Sequence, residues 1–435
     1  MKKNIMFVSL PLLGHTNQMI AMATELVERG YKVRFVIAES AKDWLSKTGA
    51  EFIPWQIKSN EKTNNNNHDT EDFWKHISQE KSTSRGEKMM LKRLISFYRP
   101  MYENLIPIFN KYKPDLLIID RAVVPAMDLA QKMNIPYIIQ SRFLGNFVKT
   151  NDQSPRFGTS YSIKMNVWQR FFNLIRPTLL IPYLAPTAIK LNKVRQQCAG
   201  DKKLDDPFDK KPIIVGTDFT FEIARPLPPW VQIVGPIFPK TPEPIDSSLS
   251  QWLEDDPEGR GIIYVAFGTL ANLEQWQFQE LVAGLEKSRL KVLWSLPKKQ
   301  QNILPNLPSS FRVEDFVSQQ AVLSHPNVRV FVSHCGMNSI NEALYSAKPI
   351  LALPFFGDQH YNAARVVDIG VGLKLNKQKF NRSQVIEKIN TLLMNSTYTE
   401  AANRISVILK NTGGLNKAAD IVEKILLEEI NSLMR

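Results

Sequence analysis

Cysteine is nearly absent: Cys198 and Cys335 are the only two in 435 residues. Two thiols cannot build a disulfide framework or a Cys-rich zinc site, and they fit a reducing compartment. Long apolar runs are missing too. The greasiest stretches, residues 262–267 and 350–356, have strand length, far short of the ~20 apolar residues of a membrane-spanning helix. Neither G-x-x-x-x-G-K-[ST] nor G-x-G-x-x-G occurs, so a P-loop and a standard dinucleotide fingerprint have no support. Asp-x-Asp is absent as well, and the acidic pairs Asp205-Asp206 and Asp255-Asp256 lie in proline-flanked loops. No metal is implied.

Lysine and arginine total 55 against 42 acidic residues, a net charge of +13, but they form no stripe or arm. Their spread argues against a nucleic-acid partner and reads as solvated surface, with a mild attraction for an anionic substrate. A hydrophobic content of 43% and a charged content of 22% are those of an ordinary globular chain. At ~150 residues per domain the length predicts two or three domains.

The N-terminus, with Lys2-Lys3, an apolar run and Ala21-Met22-Ala23, has the outline of a secretory signal. Pro11, Gly14, His15 and Asn17 break that run. A buried strand over 5–10, a tight turn through Gly14 and then a helix fit better. Met19, Met22, Ala23, Leu26 and Val27 give the helix its apolar face, and Gly30 stops it before a strand at 33–37. A mature cytoplasmic protein is expected.

Strand-like and helix-like segments then alternate in two series, which predicts two parallel α/β units. The first has strands at 5–10, 33–37, 116–119, 137–140 and 213–217. The second has strands at 262–267, 291–295, 328–333 and 350–353. Between them Pro226, Pro228, Pro229, Pro236, Pro239, Pro242 and Pro244 suit neither helix nor central strand. Residues 59–90, with an asparagine run at 64–67, read as a long mobile loop. Residues 143–211 read as mainly helical, and Trp168, Phe171, Phe172, Leu174, Leu179 and Leu180 are expected either to shape an apolar pocket or to be core. Residues 416–434 form an amphipathic helix with Ala418, Ile421, Ile425 and Leu426 on one face.

In open α/β sheets ligands bind beyond the C-terminal strand ends. The polar residues just after the predicted strands are His15, Asp120, Gly268-Thr269, His334 and Asp358-Gln359. The run Ser333-His334-Cys335-Gly336-Met337-Asn338-Ser339 joins a strand to a helix, whose N-terminus favours an anion such as a diphosphate. Plain capping is the competing reading: Ser339 and Glu342 have capping-box spacing, and Asp358 follows Gly357 as an N-cap would. His68 and His76 sit in the polar loop, His325 precedes Pro326 as a structural residue, and Cys335 reads as a small buried filler.

From Phe316 to Ala363 the sequence resembles the donor-binding signature of the family 1 nucleotide-diphospho-sugar glycosyltransferases, the UDP-glycosyltransferases. The resemblance extends to Gly14-His15, Arg29-Gly30, Pro114-Asp115 with Asp120, Arg225-Pro226-Leu227-Pro228-Pro229, Val234-Gly235-Pro236 and Phe267-Gly268-Thr269. Weaker similarity to the animal branch runs from Ser162-Ile163-Lys164-Met165 to Arg170 and Asn173. The resemblance implies a GT-B fold, an α/β protein of two Rossmann-like domains with parallel sheets facing across a cleft. Residues 1–235 would bind the acceptor, 236–250 would link, 251–415 would bind the UDP-sugar, and helix 416–435 would cross back.

It also implies roles. Phe316 would stack on uracil beside Val317, Gln319 would reach the base or ribose, and Glu342 would accept the ribose hydroxyls. His334, Gly336, Asn338, Ser339, Gly268 and Thr269 would hold the phosphates. Asp358 and Gln359 would accept hydrogen bonds from the sugar, and glutamine at that position goes with glucose in relatives. His15 would be the general base, oriented by Asp120, in an inverting displacement without metal. An imidazole suits the task because its pKa of ~6.5 leaves it largely neutral in the cell.

Phe316 and Met337 stand where relatives commonly have Trp, and Ser318 and Gln18 where they have Pro; none of these removes a catalytic group. The expectation is a soluble, bacterial-type or detoxifying enzyme that needs no cofactor beyond its co-substrate UDP-sugar, most simply UDP-glucose. Its acceptor would be a lipophilic small molecule such as a flavonoid, macrolide or xenobiotic. No nucleic-acid, membrane or obligatory protein partner is expected. Two alternatives are a nucleotide-sugar epimerase of the same fold and a non-catalytic UDP-sugar-binding accessory protein.

Overall fold

The computed structural model describes residues 3–56, 73, 75–80, 83–145, 154–200, 203–256 and 258–433. Runs of β-branched and aromatic residues form two wholly parallel sheets. The first contains β1 (Asn4–Val8), β2 (Lys32–Ile37), β3 (Glu51–Pro54), β4 (Leu116–Asp120), β5 (Tyr137–Ser141), β6 (Ile213–Val215) and β7 (Val231–Ile233), in the order β3-β2-β1-β4-β5-β6-β7. The second contains β8 (Ile262–Ala266), β9 (Lys291–Ser295), β10 (Phe311–Glu314), β11 (Val328–Ser333), β12 (Ile350–Ala352) and β13 (Gly372–Lys374), in the order β10-β9-β8-β11-β12-β13.

Parallel sheets need helices on both faces, and the strand residues divide accordingly. In β1, Met6 and Val8 enter one core cluster with Tyr102 and Phe109, while Ile5 and Phe7 enter another with Met19 and Leu26. In β8, Ile263 and Val265 pack with Phe278 and Trp294, whereas Ile262 and Tyr264 pack with Phe331 and Ile340. Both units are therefore helix–sheet–helix layers. The chain's last helix, Gly414–Leu433, buries Ala418, Ala419, Val422 and Leu426 in the cluster of Met19, Met22 and Leu26. Arg29, at the end of the Leu13–Glu28 helix, reaches Asp420 at 2.6 Å and Glu423 at 2.7 Å.

The structure corrects several expectations. Gly14 lies inside the first helix, which starts at Leu13, and not in a turn. Residues 83–90, expected in a mobile loop, open the long helix Thr83–Tyr112, and residues 75–79 are helical. Residues 59–72 of that expected loop, with the asparagine run and His68, lie outside the described residues, as do 74, 81 and 82. The proline-rich stretch does hold a strand, β7, which escapes the objection to proline by lying on the sheet edge. The apolar residues of the Val167–Ala199 helix are not core: Trp168 is 71% exposed and Leu179 63%.

Candidate active site

Each sheet changes its winding direction once. In the first the change falls between β1 and β4, in the second between β8 and β11. Connections there leave in opposite directions and open a crevice at the strand ends. His15 follows β1 and Asp120 ends β4; Gly268-Thr269 follow β8 and His334–Gly336 follow β11. Topology alone thus puts the two residue sets at the two crevices.

His15 is the third residue of the Leu13–Glu28 helix. Its Nδ1 lies 2.7 Å from Asp120 Oδ2, and its Nε2 lies 3.0 Å from Arg142 Nη2. Arginine can only donate, so Nε2 presents its lone pair and Nδ1 carries the proton shared with the carboxylate. Burial lowers the His15 pKa, Arg142 lowers it further, and Asp120 pulls the other way. The ring is a neutral imidazole with the tautomer a base requires. Asp120 is fully buried, which alone would raise its pKa. The His15 ring, Arg142 and the Ala122 N–H, 3.1 Å from Oδ1, outweigh burial and hold the carboxyl below its usual range.

Arg142 also donates to the Gly14 carbonyl at 2.8 Å, so it clasps the first helical turn. Sequence reading passed over it. The signal was present: Arg142 directly follows β5, the same position rule that singled out Asp120.

On the other sheet, Gly268 has φ +72° and Cys335 φ +65°, so both turns use the left-handed region. The His334 ring fills the space between them. A Cβ at Gly336 would lie 2.5 Å from His334 Nε2, and one at Gly268 3.0 Å. Burial pushes the His334 pKa down to about 4, leaving the ring neutral. The helix Met337–Tyr345 then begins with Gly336 at its N-cap and no capping side chain. The expected Ser339–Glu342 capping box is therefore not formed. Gln319 Nε2 takes both residues instead, bonding Ser339 Oγ at 2.9 Å and Glu342 Oε2, while Tyr264 donates to Gln319 Oε1 at 3.2 Å. Burial raises Glu342 to about 7, against the Gln319 hydrogen bond.

The remaining residues divide. Phe316 is 65% exposed, an open aromatic face at the rim, whereas the Val317 side chain belongs to the core. Thr269 is exposed at the same rim. Asp358 occupies an N-cap position without capping; its Oδ2 accepts from Asn362 at 2.8 Å. Gln359 Oε1 accepts from the Phe355 and Phe356 N–H groups at 2.8 and 3.2 Å. Both lone pairs of Oε1 are engaged by these backbone groups, which leaves the Gln359 amide as its group free to face a ligand. Asn338 crosses to the first unit, donating to Gly14 O at 3.1 Å and accepting from Gln18 Nε2 at 3.2 Å. The two half-sites therefore meet within one residue of His15.

Comparison with known proteins agrees with this geometry. The chain is 31% identical over 349 residues to UDP-glycosyltransferase 1 of Phaeomoniella chlamydospora, covering 75% of this chain and 71% of that one. It is 25% identical over 424 residues to human UDP-glucuronosyltransferase 2B17, covering 91% and 78%. Two solved structures share its GT-B fold. The glycotransferase of kitacinnamycin has a TM-score of 0.69 at 21% identity, covering 97% of this chain and 98% of that one. The calicheamicin glycosyltransferase CalG4 has 0.65 at 16%, covering 99% of each. The family profile described as UDP-glucoronosyl and UDP-glucosyl transferase matches residues 8–424, so this chain is a member of that UDP-glycosyltransferase family.

Proposed function

We propose that the protein transfers glucose from UDP-glucose to a hydroxyl of a lipophilic small molecule, with inversion at the anomeric carbon. The observation that carries this reading is the 2.7 Å His15–Asp120 pair, with the lone pair of Nε2 fixed outward by its neighbours. The acceptor hydroxyl takes over the Arg142 hydrogen bond and gives its proton to Nε2 as its oxygen attacks the anomeric carbon. The bond from that carbon to the diphosphate breaks, and UDP leaves with the electron pair. Asp120 stabilises the imidazolium that results. A positioned base of this kind is worth about 10²–10⁴-fold in rate.

The uncapped helix N-terminus at Gly336 supports binding of the diphosphate, since its dipole and N–H groups favour negative charge as it develops. Phe316 would stack on uracil, and Glu342 would exchange Gln319 for ribose hydroxyls. His334 fits a packing role between Gly268 and Gly336, with its neutral ring bordering the phosphates. Residues 1–235 would form the acceptor lobe, 236–250 the linker, 251–415 the donor lobe and 416–435 a strap. Likeness to glycosyltransferases named for kitacinnamycin and calicheamicin supports a small-molecule acceptor.

The test is incubation with UDP-glucose, with and without a panel of phenolic acceptors, reading UDP release and product mass. Acceptor-dependent UDP and a product heavier by one hexose are expected. Conversion of the sugar without acceptor would mean epimerisation, and tight UDP binding without either would mean an accessory role.

A further inference from the structure

The Val167–Ala199 helix exposes far more apolar surface than a solvated helix tolerates. Val167 is 80% exposed, Trp168 71%, Leu179 63% and Ile189 68%, with Phe171 and Phe172 each half exposed. Spacings of three, four and seven put these residues on one side. Asn173 and Thr187 are buried on the other, Asn173 bonded to Ser154 and Arg156 of the preceding segment, and the helix packs against Thr83–Tyr112. A contiguous apolar face of this kind marks an interaction surface.

Charge identifies the partner. From residue 153 to residue 200 the sequence contains no Asp or Glu. Lys164, Arg170, Lys190 and Lys193 are all exposed along the same segment. On the packed neighbouring helix, Lys88 sits 4.0 Å over the Tyr183 ring, and the carboxylate of Glu87 is bonded to Arg176 at 3.1 Å. A second copy of this chain would bring its own unbalanced cations to the same face and be repelled. A helix with Trp168, Phe171 and Phe172 in its first turns, Lys190 and Lys193 toward its other end and no acid from residue 153 to residue 200 has the composition that lies in the headgroup layer of an anionic bilayer.

We propose that this helix face docks the protein on anionic lipid membranes as a peripheral contact. Among the described residues no helix is long and apolar enough to cross a membrane, and lying on a surface needs none. The segment leading into the helix also joins the two units: Phe157 stacks on Phe143 at 4.9 Å and tilts against Tyr361 at 5.3 Å, and Ser162 bonds Asp368 across the gap. Docking would therefore hold both units beside the membrane in a fixed orientation. The proposal does not depend on which acceptor the enzyme uses.

The test is co-sedimentation of the full chain with vesicles of phosphatidylcholine containing phosphatidylglycerol, against phosphatidylcholine alone. At low salt the protein should pellet with the anionic vesicles, and the bound fraction should fall steeply toward ~1 M salt, where the Debye length is about 3 Å. Replacing Trp168, Phe171 and Phe172 together by Ser should lower the partition coefficient at least tenfold. So should the double substitution Lys190→Glu and Lys193→Glu, since each basic residue contributes severalfold near such a surface. Retained UDP binding shows that the variants fold. Failure of the wild type to pellet, or wild-type binding by the triple variant, overturns the proposal. So does a dimer in light scattering that the triple change splits while vesicles bind nothing; that result would assign the face to a second copy.

Discussion

Arg142 Nη2 stands 3.0 Å from His15 Nε2, the nitrogen that must receive a proton if His15 is the base. The guanidinium has no lone pair to offer, so this contact selects the tautomer and supplies positive charge beside the ring. Asp120 does the opposite from Nδ1. The His15 ring is therefore balanced between a carboxylate that favours its protonation and a cation that resists it, with burial adding to the resistance.

The sign of the pH effect follows. Neutral His15 is the active form, so kcat/KM should fall as pH drops through its pKa, which lies below the ordinary ~6.5. Arg142→Ala removes one of the lowering influences and should move the acid limb of the profile to higher pH. Arg142→Lys should keep the charge but lose the paired contacts to Gly14 and His15. An unmoved limb in Arg142→Ala would show that the guanidinium does not act on His15.

UDP affinity should depend on Glu342. With its carboxyl raised to about 7, the group is ionised above neutrality and protonated below it. Ribose hydroxyls need the ionised acceptor, so calorimetric Kd for UDP should weaken as pH falls through about 7. Glu342→Gln should bind UDP more weakly and show a shallower profile over the same range, with only the ligand's own terminal phosphate still titrating. Equal pH dependence in both proteins would remove Glu342 from the nucleotide site.

Gly336→Ala tests the packing of the phosphate turn. The new methyl would sit 2.5 Å from His334 Nε2. Relief requires moving that ring or the helix N-terminus, a strain of about 1–3 kcal/mol. UDP affinity should drop while His15 chemistry stays intact at saturating donor. Gly357→Ala, which meets no neighbour but has φ +60°, should lose stability through backbone strain alone.

The last helix should matter to stability through its buried side only. Leu426 is 3% exposed among Met19, Met22 and Leu26, and Leu426→Ala should cost about 2–5 kcal/mol in urea unfolding. Leu427 is 59% exposed, and its Ala variant should stay within about 0.5 kcal/mol of wild type.

Central strands were legible in the sequence and edge strands were not. β9 and β11 match their expected limits, because both are near-continuous apolar runs buried on two faces. The four strands not foreseen, β3, β7, β10 and β13, are the four sheet edges. Phe311-Arg312-Val313-Glu314 in β10 is only half buried at every position, so its periodicity carries little signal. Strand-end position brought His15, Asp120 and His334 forward. It could not show that Gln319, twenty residues earlier, would hold Ser339 and Glu342, because that contact exists only once β8, β11 and their helices are packed. Nor could the aromatic spacing of Trp168–Phe172 distinguish core from surface, since both use the same period.

The most direct test of the account is the single-turnover transfer rate of His15→Ala beside its UDP Kd, with one active acceptor. The account predicts a rate about 10²–10⁴-fold below wild type with UDP affinity unchanged. A variant that binds UDP and transfers at the full rate would contradict it.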